Sequence, residues 1–165
     1  MATRAEGNSV VNTDRATGAR ALRAIFVGGL TVGVLDLTYA VLVYSPRQPI
    51  LILQGIASGV LGAKSYVGGA RTAALGIILH FLIALGAAAV YYVASRHVPF
   101  LIQHAVLCGL VYGALVYLFM HLVVLPLSAF PPLHNTRFIY TAAEFVWHWF
   151  GVGLPIALSV RHYSG

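Results

Sequence analysis

The sequence predicts an all-α integral membrane protein: four transmembrane helices in an antiparallel bundle, with a short re-entrant or interfacial helix after the first span. Three observations predict it. Hydrophobic residues make up 59% of the 165 positions and charged ones only 8%, which is more apolar surface than a soluble domain of this length needs. These residues come as continuous runs long enough to cross a bilayer as helix, not as the short alternating segments of a β-barrel. The last run, Phe138 to Val160, nevertheless carries Glu144 and His148 at helical spacing, on one face.

Residues Met1 to Arg20 are polar and of mixed charge, and read as a disordered cytoplasmic tail. They do not read as a cleaved signal peptide, because the basic region is long and the apolar run that follows contains Asp36 and continues to Tyr44. The first span is 21–44. Gly29, Gly33, Asp36 and Ala40 recur along it at helical spacing, a small-residue stripe that lets another backbone approach closely. Asp36 within that stripe is either hydrogen-bonded at a helix seam or a proton or cation site. Pro46 and Pro49 then break the chain. The run 50–63 is apolar but short for a crossing. It reads as a helix that dips into, or lies on, the outer leaflet and packs through Gly55, Gly59 and Ala63. The alternative is a further full span running to Ala70 with Lys64 buried.

The second long span, 72–94, carries the stripe Gly69, Ala73, Gly76, His80, Ala84 and Ala87, with His80 its only ionisable group. A short loop containing Arg96 makes the next span, 100–125, its antiparallel neighbour; that span holds Gly109, Gly113, His104 and His121. Pro126 ends it, and the proline-rich link to Arg137 reads as a loop. The final span, 138–160, has Thr141, Glu144, His148, Gly151 and Pro155 as its polar and small stripe and returns the chain to Arg161. Both termini are then cytoplasmic. Of the ten Lys and Arg, Arg4, Arg15, Arg20, Arg23, Arg96 and Arg161 fall inside, and Arg47, Lys64, Arg71 and Arg137 outside. That bias follows the positive-inside rule. The net charge of +6 accordingly reads as a topology signal with a grip on anionic lipid, not as a nucleic-acid footprint. The single cysteine, Cys108, rules out an intrachain disulfide.

Helical rise puts the intramembrane ionisable groups at comparable depths from the outer ends of their helices: about 6 Å for His121, 9 Å for Glu144, 12 Å for Asp36 and His80, and 15 Å for His148. Asp36, His80, His121, Glu144 and His148 are therefore expected to line one polar pocket in the outer half of the bundle. Lys64 and Arg71 lie just above as charge partners. Carboxyl groups beside imidazoles can relay protons. His80, His121, Glu144 and His148 also have the donor types of a transition-metal site, without the HExxH spacing of a zinc hydrolase. No cofactor is required by the sequence. A haem between His80 and His148 is conceivable from depth alone. No nucleophile–base pair and no phosphate-cradling glycine loop is present, so the chain does not read as an enzyme.

The run from His121 through Pro126 to Pro131 and Pro132, followed by Glu144-Phe-Val-Trp-His148-Trp, resembles the C-terminal half of the YagU-like bacterial inner-membrane proteins. The segment from His80 to Tyr91 is similar to the preceding span of that family. The resemblance covers about residues 72–161; the first span and 50–63 depart from it, and Asp36 and Lys64 gain nothing from it. It implies a multi-span inner-membrane protein and picks out His80, His121, Glu144 and His148 together, with no substrate attached. Three readings follow. The pocket serves proton- or ion-linked transport or binding, in a homo-oligomer or with a membrane partner. Alternatively, the buried polar groups only fix helix register in a scaffold, or they bind a metal.

Overall fold

The computed structural model describes the backbone of residues 2–131 and 138–164, and side chains of residues 17–131 and 142–164. Arg137 and His134 of the outer link lie outside these, as do the side chains of Arg4, Arg15 and Thr141. The described chain is helical: α1 (Ala2–Tyr44), α2 (Pro49–Leu61) with a 3₁₀ continuation (Gly62–Val67), α3 (Gly69–His97), α4 (Phe100–Gln103), α5 (Ala105–Phe119), a π-helical turn (Met120–Val124), α6 (Leu125–Leu127), α7 (Phe138–Trp147), a second π-helical turn (His148–Gly153) and α8 (Leu154–Ser164). Five stretches are long and apolar enough to cross a membrane: Thr17–Tyr44, Pro49–Val67, Gly69–His97, Ala105–Leu127 and Ala142–Ser164. Four coincide with the expected spans. The fifth is the segment after the first span.

Two boundaries differ from expectation. Helix α1 runs through residues 2–20, which read in sequence as a disordered tail. Nucleation is the expensive step in helix formation, and a helix already nucleated in the apolar span gains one hydrogen bond for each further residue fixed. The span expected over 100–125 is interrupted at His104, whose φ of −110° and ψ of 44° are not helical; α5 starts there afresh. The two π-helical turns have a common cause. Pro126 and Pro155 have no N–H and would press their rings against the carbonyls four residues back, Leu122 and Gly151. Both of those carbonyls lie within a widened turn, which takes up the strain.

Helices meet where the small residues are. A Cβ on Gly33 would strike the Phe81 ring, and one on Gly29 would strike Leu85, so α1 and α3 run antiparallel in close contact. At Gly76 a Cβ would overlap the backbone carbonyl of Leu53, which fastens α2 onto α3. Between α5 and the last rod the backbones themselves touch: Gly113 faces the carbonyl of His148, and Gly153 faces that of Gly109. Such approaches replace the hydrophobic drive that helices lack in lipid with dispersion and shape fit. The fully closed core lies toward one end, where Ala24, Ala88, Tyr91, Ala105, Ile156, Ala157 and Val160 are sealed. Arg20, Arg23, Arg96 and Arg161 are exposed around it. Toward the opposite end, where Glu144 sits, Gln54, Ala57, Ser58, Ser65 and Ala73 are buried where α2 and its continuation meet α3.

These contacts predict a contrast between two glycines. Gly113→Ala meets backbone that cannot move aside, and should lower stability by about 1–3 kcal/mol. Gly86, with open space around its would-be Cβ, should tolerate alanine or gain about 0.5–1 kcal/mol. Thermal unfolding of the two variants in one detergent compares them directly.

Candidate functional site

Glu144 is the hub of the polar groups that the fold brings together. It projects from α7 toward the C-terminal ends of α1 and α5, where Tyr44 and Tyr117 lie. Its Oε2 accepts a hydrogen bond from the Tyr44 hydroxyl at 3.0 Å. The same oxygen lies 4.0 Å from Nε2 of His121, and the two side chains are 29% and 31% exposed, so neither is sealed. The imidazole is fixed from behind: His121 Nδ1 lies 3.1 Å from the Tyr117 carbonyl, and its ring stacks on that of Tyr117 at 4.0 Å. A carbonyl only accepts, so the proton on Nδ1 is assigned by its partner. The Nε2 of neutral His121 then presents a lone pair toward a carboxyl oxygen. Two acceptors face one another, an arrangement that a single added proton satisfies.

Asp36 joins from the α1 side through an aromatic wall. The Trp147 indole N–H donates to Asp36 Oδ1 at 3.1 Å, and the Trp147 ring stacks on Tyr39 at 4.5 Å with 6° between planes. His148 is buried. Its Nδ1 donates to the Glu144 backbone carbonyl at 2.8 Å, and its ring meets Tyr117 edge-on at 5.2 Å. Both histidines that bracket Glu144 belong to π-helical turns, His121 to the first and His148 to the second. The widened turns set where these rings point.

Of the five residues expected to share a pocket, Glu144 and His121 approach to 4.0 Å, His148 bonds to the Glu144 backbone, and Asp36 bonds to Trp147. His80 has another partner: its Nε2 donates to the Gly33 carbonyl at 2.9 Å on the α1–α3 seam. Among the described residues no hydrogen bond or ion pair joins His80 to Glu144, His121 or His148. The charge partners Lys64 and Arg71 are exposed, and no ion pair ties either to a carboxyl group among the described residues. A haem between His80 and His148 would need the very nitrogen that His80 gives to Gly33. Among the described residues no three of the His, Cys, Asp and Glu side chains converge as a metal site requires.

Sequence reasoning missed Tyr44 and Tyr39. Tyr44 stands 100 residues from Glu144 in the chain, and helical spacing relates residues only within one helix. The positions of both tyrosines late in the span, about one and two turns beyond Asp36, were the available signal. No protein-family model matches the chain, and no curated protein or solved structure resembles it significantly.

The Trp147–Asp36 bond offers a test of what holds the wall. Trp147→Phe keeps an aromatic ring against Tyr39 and removes the donor, and should destabilise by about 1–3 kcal/mol, the penalty for a polar group left without its partner. Adding Asp36→Leu to that variant should recover part of the loss, and a double-mutant cycle measures the coupling.

Proposed function

We propose that the chain is a multi-pass protein of the bacterial inner membrane that takes up and releases a proton, or a cation in its place, at the Glu144–His121 pair. Proton- or ion-linked transport or binding is the use of that site. The single observation that carries this reading is the facing of two acceptors, Glu144 Oε2 and His121 Nε2, at a partly open end of an otherwise greasy bundle. The groups around the pair belong to three elements: Asp36, Tyr39 and Tyr44 on α1, Tyr117 on α5, and His148 on the last rod. Membership of the YagU-like proteins remains part of the proposal and rests on the motif residues alone. In proteoliposomes, uptake of the transported ion should vary with pH, and Glu144→Gln should flatten that variation. An unchanged profile in the variant removes the reading.

Within this proposal the bundle has four spans and Pro49–Val67 does not cross, so both termini share the cytoplasmic side. The support is register. Gly33 meets Phe81 and Gly29 meets Leu85; counting outward from there, Tyr44 and Gly69 end about 17 Å and 18 Å along their helices in the same direction. The regular part of α2 is also short, 13 residues, or about 20 Å against a hydrocarbon core of about 30 Å. In a Cys108→Ala background, single cysteines at Arg47 and Lys64 should both react with an impermeant thiol reagent from the outside. Reaction of the two from opposite sides would mean a fifth crossing.

A specific observation also favours the scaffold reading. His80 and Asp36 each serve as a hydrogen-bonding tie between helices, the role a register-fixing polar group has. Under that reading Glu144→Gln lowers stability and leaves every flux unchanged.

A further inference from the structure

The end of the bundle away from Glu144 carries a feature that the proposed site does not use. An open groove of about 390 Å³ runs between the start of α5 and the end of α8. Its polar rim is Gln103, His104 and Arg161, and its walls include Val106, Leu107 and Leu110. His104 and Arg161 are exposed. The His104 ring rests against Phe100 at 4.4 Å between centroids, which restricts it to the rim. Val106 and Leu107 are 52% and 59% exposed, although they belong to a helix long and apolar enough to cross a membrane.

Among the described side chains, charge at this end is one-sided. The Ser159 hydroxyl donates to the Ala24 carbonyl at 3.0 Å, and the Tyr91 hydroxyl donates to the Leu101 carbonyl at 3.0 Å. The first joins the middle of α1 to α8 and the second joins the last turns of α3 to the α4 turn, and the sealed cluster of Ala24, Ala88, Tyr91, Ala105 and Val160 sets the two side by side. Arg20, Arg23, Arg96 and Arg161 all lie there. The only carboxyl side chains among the described residues, Asp36 and Glu144, are near the other end. Arg161 makes no ion pair among the described residues, and the other polar side chains lining the groove are a histidine and an amide.

We propose that this groove binds one anionic phospholipid, its phosphodiester held by Arg161, His104 and Gln103 and an acyl chain laid along Val106, Leu107 and Leu110. The inference rests on the membrane assignment and is independent of the Glu144 site. Charge selects the headgroup: a guanidinium offers paired N–H donors matched to phosphate oxygens, and cations at the cytoplasmic face of a bilayer meet anionic lipid. The apolar walls select a lipid over a free anion. Exposed Val106 and Leu107 offer an acyl chain apolar surface to cover, from which a small ion gains nothing.

The test uses full-length protein, with bound lipid counted by native mass spectrometry and by thermal unfolding after addition of phosphatidylglycerol or phosphatidylcholine. Phosphatidylglycerol should bind in preference and raise the unfolding midpoint. Arg161→Gln should cut that preference about fivefold, the factor expected of one arginine beside an anionic headgroup. Arg47→Gln, which lies outside the groove, should leave it unchanged. Equal binding of the two lipids by the wild type overturns the proposal, as does an Arg161→Gln variant with undiminished preference. Protection by inorganic phosphate equal to that by the lipid also overturns it, because the site would then take a free anion. Should Arg161→Gln fail to fold, His104→Ala is measured in its place, with the same two outcomes.

Discussion

A donor placed within an apolar helix has no water to turn to, and the described interior is arranged around that constraint. The helices hold their own N–H groups in their own ladders; Ser58 and Ser95 turn to carbonyls of their own helix, and other donors reach backbone carbonyls of neighbouring rods. His80 reaches Gly33, Tyr112 reaches Ala87, Tyr91 reaches Leu101 and Ser159 reaches Ala24. Each of these ties joins two helices, and each needs the backbones close. Closeness comes from the glycines and alanines along the seams. Polar ties and small residues are thus one device: the small residue admits the neighbour, and the hydrogen bond fixes its register.

The Glu144 region departs from that pattern, because a carboxyl group cannot donate to a carbonyl when ionised. It draws donors from side chains instead. Tyr44 supplies one to Glu144 and Trp147 supplies one to Asp36.

Much of this was legible in the residues. Apolar run length gave the helical class and four of the five long stretches. The stripes through Gly29 and Gly33, through Gly76 and Ala84, and through Gly109 and Gly113 are where the helices make contact, because close approach depends on residue size alone. Depth arithmetic placed Glu144 and His121 together correctly but also drew in His80, since depth carries no information about which neighbour a side chain faces. Tyr44 was invisible for the same reason. The widened turns at His121 and His148 were not expected either, though Pro126 and Pro155 announce them: a proline inside a long apolar helix must displace the carbonyl four residues back.

Those widened turns carry a consequence for how the chain can vary. Each successive residue of an α-helix advances its face by about 100°, and a π-helical turn closes over one more residue than an α-helical one. The side chains after Val124 and after Gly153 therefore stand one position out of phase with those before Met120 and before His148. Loss of a single amino acid inside either turn would bring the ladder back to ordinary spacing, leave the downstream groups near their present bearing and press the proline ring back onto the carbonyl it now avoids.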